Sequence, residues 1–338
     1  MTSYRGAAYG IGAMTLVGSS AAVLAGISDY PTFGGQLVRY AGATLVLLLV
    51  MRVQHVSHLS LSRAELGRLT LLAATGLAGF NVCYVQAVRY ADPSSVGAVV
   101  GGVPIVLAVM DPMLRRRSPS MRIVAAALVV AVGVAITQGY GGGSLAGLSW
   151  SLGALGAEVA FSLLAVPVLP RLGPIRVSTY ASALAVPVLL IASLVADGRH
   201  ALPVPTQAQA LSLLYLAVVV TAWAFVLWYA AISRLGADRA GLSAGVAPAS
   251  AVVAAAVLGT GQPSGADVVG AVIVGLGVVI GLAPDRRSRS GAEPSAQQNG
   301  DQIRAQRGRR RQVELVADVA AASGRHGEAG LLEDRQVP

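Results

Sequence analysis

An all-α membrane protein of ten transmembrane helices, arranged as two inverted five-helix repeats, is the fold this sequence predicts. Hydrophobic residues make up 54% of the 338-residue chain and charged residues only 12%, whereas about a quarter of a soluble protein is charged; the mean hydropathy is +0.65. Apolar stretches recur at the length a bilayer needs, roughly 20 residues for a core about 30 Å thick. One pattern also occurs twice: Gly97 to Pro104 reads GAVVGGVP and Gly241 to Pro248 reads GLSAGVAP. Gly97 and Gly241, Gly101 and Gly245, Pro104 and Pro248 are each 144 residues apart.

The predicted helices run over 7–26, 33–53, 69–90, 94–113, 121–139, 147–169, 177–196, 210–233, 240–259 and 267–283. The first follows Arg5, lacks a small-residue cleavage site, and is read as a retained helix rather than a signal peptide. Asp29-Tyr30-Pro31 separates it from the second, which carries Arg39 about two turns in. The third holds Phe80, Asn81, Tyr84 and Gln86 and ends at Asp92-Pro93. The fourth bears the first repeated pattern and runs into Arg115, Arg116 and Arg117. Gly141-Gly142-Gly143 closes the fifth, and Glu158 is the midpoint of the sixth. Pro203-Val204-Pro205 follows the seventh; the eighth is rich in aromatics; the ninth bears the second pattern and runs into GTGQPSGAD. The expected organisation is a first repeat over 7–139, a second over 147–283, and a polar, mostly disordered cytoplasmic tail over 284–338. Within the tail, RAQRGRRR at 304–311 suits anionic lipid headgroups and 313–322 suits a short helix.

Arginine placement orients the chain. With a cytoplasmic N-terminus, fifteen arginines up to Arg289 fall on the inside and two, Arg89 and Arg199, outside. Both ends are then cytoplasmic, and five helices per half make the halves antiparallel. Inverted repeats of this kind build secondary transporters, with the solute site between the halves near mid-membrane. The pI near 10.3 follows from basic residues at helix ends and implies no nucleic-acid partner. The single Cys83 allows no intramolecular disulfide.

The stretches NVCYVQAVRYADPSSVGAVVGGVPIVLAVMDPMLRRRSPSMRIVAAALVVAVGVAI and AFVLWYAAISRLGADRAGLSAGVAPASAVVAAAVLGTGQPSGADVVGAVIVGLGVVIG share one order of features. An aromatic-containing helix precedes a small-residue helix with Pro, a short turn, and a Gly-containing helix; Gly133 and Gly277 also match at 144 residues. In this the chain resembles the drug/metabolite transporter superfamily, specifically ten-helix proteins with two EamA-type repeats, over about residues 7 to 283. The resemblance implies a multi-pass inner or plasma membrane transporter of small molecules rather than an enzyme. It implies an exporter of metabolites such as amino acids, working by alternating access with proton coupling or exchange. A multidrug or lipid-type exporter is the same-class alternative; an intramembrane enzyme or a non-transporting structural subunit is the different-class one. Whether the protein is a monomer or a homodimer is left open. Members often carry a Glu in the turn after the fourth and ninth helices; Arg116 and Thr260 stand there in this chain, so that residue's role does not transfer.

Among single residues, Glu158 is the sharpest. An ionised side chain at bilayer centre costs several kcal/mol, so it should face the bundle interior or a wet cavity. Its roles are a proton-coupling carboxylate, a counter-ion to a substrate amine, or a structural hydrogen-bonding group. Arg39 has three roles open: binding a substrate carboxylate, pairing with an acid, or snorkelling outward. Tyr84 and Trp228 match at the repeat offset and, with Asn81, are candidates to shape a pocket or stack on a cation. Gly97, Gly101, Gly241 and Gly245 are expected to permit close helix approach, and Pro104 and Pro248 to act as hinges or kinks. Asp111 is expected to pair with Arg115. His55 and His58 have no acid or Cys cluster beside them, so no metal is expected. With no Walker A sequence and no nucleophile–base pair, no ATP-driven step, cofactor or catalytic residue is expected.

Overall fold

Local hydrogen-bond chemistry sets several helix ends in this chain, and the same chemistry recurs 144 residues later. The computed structural model describes residues 2–283 apart from 26, 28, 140, 260, 261 and 263. Thr260 and the 284–338 tail, with its basic run and short-helix expectation, lie outside the described residues. The helical segments are α1 (Thr2–Ala25), α2 (Thr32–Val53), α3 (Arg63–Tyr90), α4 (Pro93–Leu114), α5 (Met121–Gln138), α6 (Leu145–Leu163), α7 (Leu169–His200), α8 (Gln207–Leu235), α9 (Ala237–Val257) and α10 (Gly265–Leu282). Eight of these are long and apolar enough to cross a membrane; α1 and α6 are not among the eight. In α6, Glu158 and Ser149, Ser151 and Ser162 dilute the apolar character.

Serine and threonine start the helices. Ser62 accepts from the Glu65 backbone at 3.3 Å and Glu65 accepts from the Ser62 backbone at 2.8 Å, closing the first turn of α3. Thr206 and Gln209 repeat the motif at the start of α8, at 3.3 and 2.9 Å. Pro93 opens α4 directly after Asp92, where a missing N–H costs nothing. Gly236, with φ of 87°, makes the turn between α8 and α9 that a side chain would resist.

Two irregularities also repeat. Leu72–Gly79 in α3 and Leu216–Trp223 in α8 are eight-residue π-helical segments, again 144 residues apart. Such widened turns are rare and frequently mark functional regions. The proline helices break as well. Pro104 has no N–H to give the carbonyl four residues back, and α4 opens into a turn at Gly101–Gly102. Pro248 does the same to α9, which tightens into a 3₁₀ turn over Leu242–Gly245.

Glycine sets how closely α5 and α10 approach. A Cβ at Gly133 would lie 2.8 Å from the Gly270 carbonyl oxygen and 2.8 Å from the Val274 nitrogen. A Cβ at Gly277 would lie 3.0 Å from the Ala126 carbonyl oxygen and 3.0 Å from the Val130 nitrogen. These contacts are reciprocal, because Ala126 and Gly270, Val130 and Val274, and Gly133 and Gly277 are all offset by 144. Ala126 sits by Gly277 and Gly281 while Gly133 sits by Gly270, so the two helices run antiparallel.

The remaining helices interleave. α1 packs on α8 and α9, and α6 packs on α3 and α4. The repeated glycines fit this packing: a side chain at Gly97 would meet Gln138, at Gly101 Val134, at Gly241 Leu107, and at Gly245 Val130 and Val274. Polar straps tie loops to helices. The Tyr30 hydroxyl donates to the Pro203 carbonyl at 3.0 Å, and the Tyr180 hydroxyl to the Leu59 carbonyl at 3.3 Å. Arg171 and Arg176 reinforce the second strap through Glu65, Ser60 and Ser57. Arg115 Nε donates to Asp111 Oδ1 at 2.9 Å, an i,i+4 ion pair. Arg116 lies in the exposed turn beyond it, at φ of 55°.

Candidate functional site

Helices α2, α6 and α8 bring four aromatic rings together. Tyr40 lies 6.2 Å from Phe225, Phe161 lies 4.9 Å from Phe225, and Phe161 lies 5.1 Å from Tyr229. All four are buried. Small residues permit this: a Cβ at Gly76, inside the π segment of α3, would come within 2.8 Å of the Phe161 Cα. That segment therefore rests on the backbone of α6 at the aromatic cluster.

Glu158 precedes Phe161 by three residues, close to one turn of α6, and is half-buried. It lies near the Tyr40 and Tyr229 hydroxyls. No hydrogen bond or ion pair involves it among the described residues. Asn81 donates to the Leu77 carbonyl at 2.8 Å and lies near the Tyr40 hydroxyl. Asn81, Tyr40, Tyr229 and Glu158 thus form one polar group set among aromatic faces. A carboxylate among aromatic rings can hold a cationic group by charge and by cation–π attraction, or take up and give back a proton.

Of the other predicted residues, Trp228 belongs to the same buried core and Arg39 lies against the Tyr40 ring. Trp228 is 2% exposed and donates from Nε1 to Ser162 Oγ at 3.2 Å, pinning α8 to α6. Tyr84 is 37% exposed and stacks on Phe80 at 5.8 Å. The two share a repeat position but make different contacts. Arg39, beside Tyr40 on α2, donates to Thr221 Oγ1 at 2.5 Å and to Gln36 Oε1 at 3.4 Å. Gly101, Pro104, Gly245 and Pro248 sit at the breaks of α4 and α9, while Gly97 and Gly241 lie one turn upstream. His55 and His58 occupy a loop, and no cluster of three or more metal-ligating side chains exists among the described residues. Tyr40, Phe161 and Thr221 do not stand out in the sequence. Tyr40 follows Arg39 directly, and that adjacency was the available signal.

A bundle of apolar helices with paired broken and widened segments is that of a multi-pass membrane protein. The EamA-like transporter family model matches residues 4–139 and 137–282, and the chain belongs to that family. It is 26% identical over 256 residues to the uncharacterized transporter YetK of Bacillus subtilis (strain 168), covering 73% of this chain and 77% of the relative. A solved crystal structure of a protein 19% identical superposes with a TM-score of 0.68, covering 82% of this chain and 96% of the other. At that identity the likeness speaks to fold alone.

Proposed function

We propose that the protein is an exporter of small metabolites such as amino acids, driven by a proton gradient or by solute exchange. It works by alternating access between two inverted five-helix repeats, 7–139 and 147–283, in the plasma or inner membrane. The observation that carries this reading is Glu158: a half-buried carboxyl on α6, one turn before the aromatic cluster where α2, α6 and α8 meet, with no ion pair or hydrogen bond among the described residues. Support for ten crossings comes from length, since α1 has 24 residues and α6 has 19, about 36 and 28 Å of helix. Support for inversion comes from the reciprocal, antiparallel contacts of α5 and α10, as two-fold related halves require. The arginine bias puts both ends in the cytoplasm. Alternating access then rocks the halves about the Glu158 cluster, with the breaks above Pro104 and Pro248 as bending points. Export is the direction the family resemblance implies.

Liposomes loaded with a metabolite mixture test this. Vesicles holding the purified protein are expected to lose at least one amino-acid class faster than protein-free vesicles, at a rate that changes with an imposed pH gradient. Identical retention of every solute in both preparations overturns the reading.

A further inference from the structure

Arg39 carries a positive charge inside the α2 span, where an ionised side chain is costly and is normally paired. No acid pairs with it among the described residues. Its contacts are to neutral acceptors, Thr221 Oγ1 and Gln36 Oε1, and to the Tyr40 ring at 5.6 Å. These use two of its N–H donors and leave the Nη2 edge with no partner among the described residues. Thr221 in turn donates to the Leu216 carbonyl at 2.9 Å, within the π segment of α8, so the guanidinium is held by a fixed backbone feature. Beside it opens a cleft of about 120 Å³ lined by Arg39, Gln36, Tyr30, Thr32, Ile27 and Leu216. That is far below the roughly 300–1,000 Å³ of a drug-sized site and fits one functional group of a solute.

We propose that this cleft is the subsite for a carboxylate of the transported solute, held by the free edge of Arg39. A guanidinium fork matches carboxylate geometry and forms charge-assisted hydrogen bonds. The anion also supplies the counter-charge that Arg39 lacks among the described residues. The guanidinium lies 5.6 Å from the ring of Tyr40, which itself packs on Phe225, so Arg39 borders the central aromatic cluster. The assignment rests on the transporter reading, and it makes solutes without a carboxylate poor ligands.

The test uses the full chain in phosphatidylcholine nanodiscs. Thermal stability is titrated with amino, hydroxy and dicarboxylic acids, each against its amide. At least one acid is expected to raise the melting midpoint, with its amide binding roughly ten- to a hundredfold more weakly. Arg39→Gln is expected to lose that preference and Arg39→Lys to keep part of it. Equal stabilisation by acid and amide, no response to any acid, or full preference in Arg39→Gln each overturns the subsite. Wild-type stabilisation by phosphatidylglycerol, lost in Arg39→Gln and with no response to acids, assigns the cleft to lipid phosphate and also overturns it. The acid–amide comparison needs no variant, so misfolding cannot mask the result. Flux in the liposome assay without acid preference defeats this inference alone; acid preference without flux defeats only the transport reading.

Discussion

Glu158→Gln is expected to fold and to lose gradient-driven flux by roughly tenfold or more, the scale of a coupling free energy of 1–3 kcal/mol. The amide keeps the shape of the side chain and removes its charge and its titration. No hydrogen bond or ion pair is lost among the described residues, so stability should change little. Two functional roles separate in the same preparation. If the carboxyl couples protons, Glu158→Gln keeps solute binding and exchange while losing the response to a pH gradient. If it neutralises a solute amine, binding itself weakens. Wild-type, pH-dependent, gradient-driven transport by purified Glu158→Gln sinks both roles.

The second large effect is structural. Gly277→Leu is expected to abolish most folded protein. Its Cβ would meet Val130 Cγ2 at 2.7 Å and the α5 backbone at 3.0 Å, so the helices must separate rather than a side chain swing aside. Overpacking a tight core costs about 1–3 kcal/mol even when side chains can give, and backbone cannot. Gly275→Leu is the control, because nothing lies within 4 Å of a Cβ at Gly275. Detergent-extracted yield on a sizing column should collapse for the first variant and hold for the second. Equal yields would mean that α5 and α10 do not pack through these glycines.

Most helix positions were legible because apolar length and turn chemistry act locally. The sequence places helices over 121–139 and 267–283, and they form at Met121–Gln138 and Gly265–Leu282. The breaks of α4 and α9 were legible from Pro104 and Pro248, since a missing N–H acts on the turn upstream. The π segments were not. Nothing in LAATGLAG or LAVVVTAW departs from ordinary apolar helix composition; in the fold the first segment packs against α6 and the second against α2. The site was half legible. Glu158 and Arg39 stand out as charges in apolar runs. Tyr40 and Phe161 do not, because a buried aromatic and a lipid-facing one look alike in a one-dimensional pattern. Pairing Tyr84 with Trp228 assumed that matched positions have matched surroundings. At that pair of positions the halves make different contacts: Tyr84 stacks on Phe80 and Trp228 donates to Ser162.

The central claim is that one half is the other turned over in the membrane, and the sidedness of two matched turns tests it most directly. Ser118 and Gln262 follow the matched proline helices α4 and α9 and are exposed. Single cysteines at these positions, in a Cys83→Ala background, are probed with an impermeant maleimide on intact and permeabilised cells. The inverted-repeat account predicts that residue 262 labels in intact cells and residue 118 only after permeabilisation. Labelling of both positions from the same side would contradict it.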